Sequence, residues 1–444
     1  MMKSIIRGFA VTAFVFLIGL GASQLGSLNL FSAFDPIGQA LSEFELTDIV
    51  FSNLRDDPKA DSSIVIANIG QASRMEIAQM LAIISRYKPR VIGIDSFFNC
   101  EGGLTDSVNC PQIYDTLSNL MLSNAIQEAG NVVMVSRLLQ TDSAFNARAI
   151  DYYDSLEISD PLFSDYATNA FANLPTSATY QEDVKSVKSV IPQWVVNGKR
   201  QLAFSVMMAM KVDSVKTKKF LARGNEEEVI KFRGNIAIPD QKLAHHREAM
   251  AEVSKYNGFC GVIDMDDVLS ENFDTSYFAN KVVILGFLGN YLGHPAWEDK
   301  FFTPLNAKVA GRANPDMFGP VVHANVVSMI LHEDYIDEIP GWAQYLIAFL
   351  ACFLNVLLFR WIDDKFPVLF DGLSVVLQLV QIAMVGVFII YAFQHFSLKL
   401  ELSTTMAALA LVGPCFDICK SIENSFSRSL TTSDTDVLTT TIDR

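Results

Sequence analysis

The chain has 444 residues, half of them hydrophobic, and a formal net charge of −15. The hydrophobic residues concentrate at the two ends, and the negative charge falls mainly on the long polar stretch between them. This distribution argues against a fully embedded transporter. It also argues against nucleic acid and anionic lipid headgroups as ligands of the polar stretch.

The first apolar segment predicts a membrane span at the N-terminus. It runs from Gly8 to about Leu30, contains no charged residue, and follows Lys3 and Arg7 as a basic flank. The alternative is a cleaved signal peptide, since Gly21 and the two small residues after it could form a cleavage site. We favour retention because the apolar character continues past these residues.

Three further apolar segments lie close together near the C-terminus. Residues 339–361 and 366–393 are each long enough to cross a membrane. Residues 402–416 form a shorter segment that contains Pro414, so a re-entrant segment is an alternative to a fourth span. Arg360, Lys365 and Lys420 border these segments on one predicted side. By the positive-inside rule, we expect this side and both termini to be cytoplasmic.

These segments divide the chain into four predicted parts. They are an N-terminal anchor (1–30), an extracytoplasmic domain (31–338), a three-span bundle (339–416) and a cytoplasmic tail (417–444). The tail is short, rich in Ser and Thr, and predicted to be disordered. Alternatively it orders on a cytoplasmic partner, with Val437, Leu438 and Ile442 as anchors.

Cys100 and Cys110 are predicted to form a disulfide. They lie ten residues apart in a Gly- and Asn-rich loop of the domain expected outside the cytoplasm. A pair of free thiols is the alternative. A metal site is disfavoured because no His lies nearby in the sequence.

The extracytoplasmic domain begins with a β-α-β-α-β pattern, which predicts an α/β fold with a largely parallel or mixed sheet. The predicted strands are 64–69, 91–98 and 132–138, and the predicted helices are 72–87 and 113–129. After a less regular region, a strand at 281–289 enters a Gly-rich turn and a helix follows at 320–331. The helical segments near both termini predict a separate transmembrane bundle.

Polar residues at the ends of the predicted strands indicate a ligand site. Asp95 and Asn68 each end a buried strand, and open α/β sheets bind ligands beyond the carboxyl ends of their strands. We therefore expect both residues to face a crevice together with the turn after Gly286, and Asp95 to contact a cation or polar group. The alternative is that Asp95 caps a loop or helix.

A second group, consisting of His294, Glu298, Asp299 and His323, contains residue types that bind divalent metals. Their spacing is unspecific, so structural hydrogen bonds are the favoured reading and no metal site is predicted. The sequence shows no nucleophile elbow and no zinc-protease motif. We therefore expect neither an enzyme nor a bound cofactor.

Several segments together resemble one family, the CHASE2 extracytoplasmic sensor domains. The resemblance is carried by IVIANI, VIGIDSFF, AGNVVMVSRL, FANKVVILGFLGN, FFTPLN and PVVHANVVSMIL, in this order along the chain. It covers nearly the whole chain to about Phe416. The chain differs from the family pattern at the end of the first strand, where Asn68, Ile69 and Gly70 replace acidic residues, and in the loop between Cys100 and Cys110.

The resemblance implies one N-terminal span, a sensor domain, three further spans and a sensory function. It suggests Arg74, Asp95, His323 and Asn325 as ligand-binding candidates, and we add Asn68 and Asp299. Because family members typically carry a cytoplasmic output domain after the spans, we expect a separate effector protein to receive the signal. The ligand would be a small molecule or an envelope protein, and a homodimer is compatible with this arrangement. A non-signalling assembly or scaffold protein is the alternative.

Overall fold

The computed structural model describes residues 2–26, 48, 50–55, 58–99, 114–141, 153–176, 185–237, 258–294, 299–306 and 315–442. The chain divides into two compact units. One unit, the helical bundle, combines Met1–Asp35 with Asp337–Arg444. The other unit, the α/β domain, comprises Pro36–Ile336. The domain boundaries expected from the sequence, after residues 30 and 338, stay predictions.

The helices and strands are numbered in chain order. The helices are α1 (Met2–Gly26), α2 (Arg74–Arg86), α3 (Thr116–Ala129), α4 (Pro161–Ser164), α5 (Phe204–Val212), α6 (Ser214–Leu221), α7 (Met265–Leu269), α8 (Gly319–His332), α9 (Gly341–Lys365), α10 (Phe370–Phe396) and α11 (Ser403–Ile442). The longer strands are β1 (Ile64–Asn68), β2 (Val91–Asp95), β3 (Val132–Leu139), β4 (Ser155–Ile158) and β5 (Thr168–Phe171). The remaining strands are β6 (Ser189–Val190), β7 (Gln193–Val196), β8 (Lys199–Leu202), β9 (Glu228–Val229), β10 (Gly261–Asp264), β11 (Val282–Gly286), β12 (Lys300–Phe301), β13 (Met317–Phe318), β14 (Asp337–Glu338) and β15 (Leu398–Lys399).

The α/β domain is built on a mixed sheet. Its strands follow the order β10-β1-β11-β2-β3-β4, and β5 also pairs with β3. The pairs from β10 to β3 are parallel, as is the pair of β3 with β5, whereas β4 pairs with β3 in the antiparallel direction. The fold class predicted from the sequence is confirmed.

Helices cover both faces of this sheet. One face packs against α2 and α3 in a hydrophobic cluster that includes Val65, Ile92 and Met80. α2 begins with a capping box, in which Ser73 and Glu76 satisfy each other's backbone N–H groups. The other face lies under α5 and α8. α5 packs directly on Gly93, where an added Cβ would lie 2.4 Å from the sulfur of Met208.

In the helical bundle, α11 contacts α1, α9 and α10. Two ion pairs lie at one end of the bundle: Arg7 with Glu423 at 3.3 Å and Lys420 with Asp363 at 2.6 Å. They place the start of α1 close to the ends of α9 and of the apolar part of α11. β14 and β15 pair at the other end of the bundle.

Gln378 explains how α11 continues through Pro414. A proline has no N–H, so it leaves the carbonyl of Ala410, four residues earlier, without its helical partner. The Gln378 side chain on α10 donates to this carbonyl at 3.1 Å and to that of Leu409 at 2.9 Å. Gly413 makes room for it, because an added Cβ would lie 2.9 Å from the Gln378 side-chain oxygen.

Three helices among the described residues are long and apolar enough to cross a membrane. They are Gly341–Lys365, Gly372–Phe396 and Ser403–Glu423. The fourth apolar segment is therefore longer than the predicted 402–416 and is of spanning length. The span predicted at the N-terminus is not among these three helices. α1 is helical, and the apolar part found among its described residues is Ile6–Gly21, which is shorter than the usual length of a span.

The tail also differs from its prediction. α11 continues to Ile442 through the residues expected to be disordered. The sequence after Pro414 contains neither Gly nor Pro, so nothing in it ends the helix. The span that precedes the tail also provides a helical nucleus, and adding turns to an existing helix costs far less than nucleating one.

Candidate functional site

Asp95 lies at the carboxyl edge of the sheet, at the end of β2. It is opposite Gly286 of β11, on the face covered by α8. An added Cβ at Gly286 would lie 2.5 Å from Pro320, so the absence of a side chain allows α8 to approach the sheet here. The Asp95 side chain is partly exposed beside the start of α8, and we call this part of the sheet edge the Asp95 crevice.

Asp299 lies beside the start of α8. Its backbone oxygen accepts a hydrogen bond from the N–H of Gly319 at 3.1 Å. An added Cβ at Gly319 would lie 3.4 Å from a carboxylate oxygen of Asp299, which places this carboxylate next to the first turn of α8. Asp299 has a φ of +57°. The N-terminal end of a helix carries partial positive charge and favours a carboxylate in this position.

The negative charge of Asp299 affects the protonation of Asp95. Burial raises the pKa of Asp95 to about 8, and the negative charge of Asp299 adds to this effect. Burial also raises the pKa of Asp299 to about 6, while the nearby Lys185 opposes the shift. The Asp299 side chain nevertheless keeps much of its surface exposed to solvent.

The protonation state of Asp95 decides what the crevice can bind. Within the described residues, no group makes a hydrogen bond to its carboxyl. At neutral pH the protonated acid can donate a hydrogen bond to a polar ligand. When it loses the proton, the pair with Asp299 provides two carboxylates, which suit a cation or an amine.

Asp316, which precedes β13, is hydrogen-bonded to Thr303, which follows β12. The Thr303 hydroxyl donates to one oxygen of Asp316 at 2.6 Å, and the Thr303 N–H donates to the other at 2.9 Å. Burial raises the pKa of Asp316 to about 7, although these hydrogen bonds act in the opposite direction. Beside it, burial lowers the pKa of Lys300 to about 8. Because the Asp316 carboxylate is occupied within the fold, we assign it a structural role.

Asn68 lies on the same edge as Asp95, as the sequence predicts, but its side chain is fully engaged. The amide donates to Asp264 at 2.8 Å and to the carbonyl of Gly289 at 3.0 Å. Its oxygen accepts from the N–H groups of Gly70 and Leu288. All four hydrogen-bonding positions of the side chain are therefore used to hold the turn after β11 against β1.

Asn325 is similarly occupied in the interior of α8. Its oxygen accepts from the backbone N–H groups of Arg233 and Gly234, and its amide donates to the carbonyls of Gly234 and Val321. The residue is completely buried. It fixes the backbone of residues 233–234 to the helix and has no free group for a ligand.

Arg74 lies on the opposite face of the sheet from α8. Its guanidinium donates to Asn119 of α3 at 2.6 Å and lies 5.4 Å above the ring of Phe163. Burial lowers the pKa of Arg74, whereas Asp160 and Asp115 favour its charged form. The structure therefore does not bring Arg74 together with Asp95.

His323 is buried in α8, one turn after Gly319. Its ring packs edge to face against Phe204 at 5.3 Å, and its Nδ1 has no hydrogen-bond partner among the described residues. Burial lowers the pKa of His323 to about 4, so the imidazole is neutral at physiological pH. His294, by contrast, packs against Tyr291 in the turn after β11.

The described residues contain no group of three or more His, Cys, Asp or Glu that could hold a metal ion. Glu298 lies outside them, as do Cys100 and Cys110. The described part of the chain contains no disulfide, and the structure gives the predicted bridge no support. Cys260 is a buried free thiol, and burial raises its pKa.

Two features of the crevice are not among the predictions made from the sequence. Lys185 influences Asp299 from 114 positions earlier in the chain, and no local pattern marks it. Gly319 and Pro320 could have been noticed, because Pro in the first turn of a helix and a small residue before it signal a helix start. Their role in bringing α8 close to Gly286 requires the fold.

Comparisons with known proteins place the whole arrangement in one family. Searches of curated proteins and of solved structures give no match. The family model for the CHASE2 domain matches residues 14–358, well over half of the chain. This match extends from α1 through the α/β domain and into α9. The chain therefore belongs to the CHASE2 domain family.

Proposed function

We propose that this protein is a multi-pass membrane protein for signal input. Its α/β domain binds an extracytoplasmic ligand or responds to the state of the envelope, and the bundle passes the change to a separate partner. The family supports the sensory part of this proposal, because CHASE2 is a family of sensory extracytoplasmic domains. The proposed role is non-catalytic.

The observation that carries the proposal is the pairing of Asp95 with Asp299 at the carboxyl edge of the sheet. Open α/β sheets bind their ligands at this edge. The side-chain amides of Asn68 and Asn325 are fully hydrogen-bonded. The carboxyl group of Asp95, by contrast, makes no hydrogen bond within the described residues. We propose that this crevice binds a cation or a small cationic ligand through both carboxylates.

α8 is the element that would respond to such binding. Asp299 flanks its first turn, and Pro320 packs against the sheet beside Asp95. A ligand that binds both carboxylates would favour one position of α8 over another. A difference of about 1–3 kcal/mol in binding free energy between two such positions is enough for signalling.

Charge at the end of the bundle supports the proposed orientation. Arg7, Arg360, Lys365 and Lys420 belong to the end at which the Arg7–Glu423 and Lys420–Asp363 ion pairs lie. Basic residues favour the cytoplasmic side of a membrane. We therefore propose that this end is cytoplasmic and that the α/β domain lies outside, in a bacterial cytoplasmic membrane.

Cation binding to the full chain in lipid nanodiscs tests the proposal. The probes are Mg²⁺, Ca²⁺ and Mn²⁺, and the readout is the thermal unfolding midpoint of the α/β domain by calorimetry. We expect at least one cation to raise this midpoint. The apparent affinity should increase as the pH rises from 6 to 8, because the cation competes with the proton on Asp95.

Matched variants locate the binding. Asp95→Asn and Asp299→Asn should each weaken the cation effect by about tenfold or more, corresponding to about 1.4 kcal/mol. Asp165→Asn removes an exposed carboxylate elsewhere in the domain and should leave it unchanged. Equal responses in all three variants, or no response to any of the cations, would contradict the assignment of the crevice.

A further inference from the structure

A second cavity lies in the α/β domain, away from the Asp95 crevice. Its volume is about 550 Å³, and it lies between β5, β8, α5 and α6. It shares no lining residue with the crevice. The lining residues of this cavity are Asn169, Arg200, Gln201, Leu202, Met207, Met210, Lys218, Leu221 and Ala222.

Part of the cavity wall is apolar. Met207 and Met210 are three residues apart on α5 and therefore share a face of that helix. Leu202 of β8 and Leu221 of α6 line other parts of the wall, and all four side chains are partly exposed. Methionine side chains are flexible and polarisable, so this wall can adapt to ligands of different shape.

Two cations border the same cavity. Arg200 and Lys218 are exposed, and within the described residues neither forms an ion pair. Two cations nearby in the sequence do form ion pairs. Lys219 on α6 pairs with Glu333 at 3.0 Å, and Arg223 after α6 pairs with Glu228 at 2.7 Å. Among the residues that the structure describes, no acidic residue lines the cavity. In a chain with a net charge of −15, two unpaired cations at one cavity form a local positive site.

Asn169 adds a polar group to the wall. Its amide donates to the carbonyl of Ser164 at 3.1 Å, but its side-chain oxygen is buried and accepts no hydrogen bond within the described residues. Because this oxygen is buried and can only accept a hydrogen bond, it does not contact an anionic group, and recognition of the anion rests on the cations.

We propose that this cavity binds an anionic amphiphile, that is, a small molecule with a carboxylate, sulfonate or phosphate group on an apolar body. Arg200 and Lys218 contact the anionic group, and the methionine and leucine side chains contact the apolar body. A cationic ligand would be repelled, and a purely apolar ligand would leave both cations unused. The volume lies within the range of pockets for small molecules. This second site is independent of the function proposed for the Asp95 crevice.

Isothermal titration of the full chain tests this site. The protein is reconstituted in phosphatidylcholine nanodiscs, and empty nanodiscs provide the blank. The probes are naphthalene-2-sulfonate and the uncharged naphthalene-2-sulfonamide, which have nearly the same shape. We expect the sulfonate to bind about tenfold more tightly or better, and its affinity to fall with increasing salt.

Variants separate this site from general charge effects. Arg200→Gln with Lys218→Gln should reduce sulfonate affinity about tenfold or more, and both residues are exposed, so the fold should be retained. Lys199→Gln with Lys211→Gln removes two exposed cations that do not line the cavity, and it should change the affinity less than about twofold. Equal binding of the two probes, unchanged binding in the first double variant, or no binding of either probe would overturn the proposal.

Discussion

At Asp95, the raised pKa links the stability of the α/β domain to pH. The carboxyl titrates near 3.8 when unfolded and near 8 when folded, so the folded state binds the additional proton between these values. Stability therefore falls as the pH rises through this window. For one such group the slope is at most about 1.4 kcal/mol per pH unit.

Asp95→Asn should reduce this slope, because asparagine cannot ionise. We expect the variant to be more stable than the natural chain at pH 8 and closer to it at pH 5. The measurement is the calorimetric midpoint of the α/β domain between pH 5 and 9, without added cations. Asp165→Asn serves as the control, and identical slopes in the natural chain and Asp95→Asn would refute the role of Asp95.

The residues at the strand ends show which features of the ligand site the sequence predicts and which it does not. The position of Asp95 at the end of a buried strand is readable, and so is the neighbouring position of Asn68. The sequence does not show whether the polar groups of these side chains are free to bind a ligand, because the partners of Asn68 lie about 200 residues later in the chain. The same holds for Asn325, whose partners at 233–234 are 91 to 92 residues earlier. Tertiary contacts thus decide which strand-end residue can bind a ligand.

Among the helices, the contact between α10 and α11 gives a sharp prediction. Gln378→Leu removes the donor that satisfies the Ala410 carbonyl opposite Pro414. We expect the bundle to lose about 1–3 kcal/mol of unfolding free energy, since a carbonyl without a partner is costly in a membrane. The measurement is unfolding in mixed micelles of mild detergent and dodecyl sulfate, followed by tryptophan fluorescence.

The Pro414→Ala background separates this explanation from a simple loss of packing. Alanine restores the N–H that the Ala410 carbonyl lacks, so Gln378→Leu should then cost clearly less. Gln381→Leu is the matched control. Gln381 donates to Asn355 at 3.0 Å and not to α11, so its cost should not depend on residue 414. If Gln378→Leu costs the same in both backgrounds, Gln378 does not compensate for the proline.

The elements themselves were predictable where hydrophobic periodicity was strong. The first three strands and two helices of the α/β domain occur where the pattern indicates, with small shifts at their ends. Pro414 misled the prediction of the last span, because its compensation by Gln378 comes from another helix. In the tail, the Ser and Thr residues have weak helix propensity and so indicate disorder, whereas continuity with a span favours extending the helix.

Across the whole molecule, strand order was the least predictable feature of the fold. The early β-α-β-α-β pattern correctly indicates a parallel sheet. It does not reveal that β10 and β11, about 200 residues later, lie on either side of β1. Because β11 separates β1 from β2, it brings Gly286 next to Asp95 and allows α8 to complete the crevice. The crevice is therefore a product of long-range pairing.

The extended end of α11 provides the last prediction, which concerns the partner. The helix continues for about 28 Å beyond Glu423, a surface on which a cytoplasmic protein could dock. Removal of residues 424–444 should abolish crosslinking to the partner in intact membranes while leaving the thermal midpoint of the α/β domain unchanged. Replacing Val437, Leu438 and Ile442 with Ser should also weaken crosslinking to the partner.

A chain in which residues 424–444 are scrambled keeps length and composition and serves as the control. If the native and scrambled tails recover the same crosslinked protein equally well, the tail does not recognise a partner. Signal input further requires that partner recovery change with the cation that binds at Asp95 and Asp299, because two linked sites must influence each other. A partner that crosslinks only to the α/β domain, independently of both the tail and the cation, would instead favour the scaffold alternative.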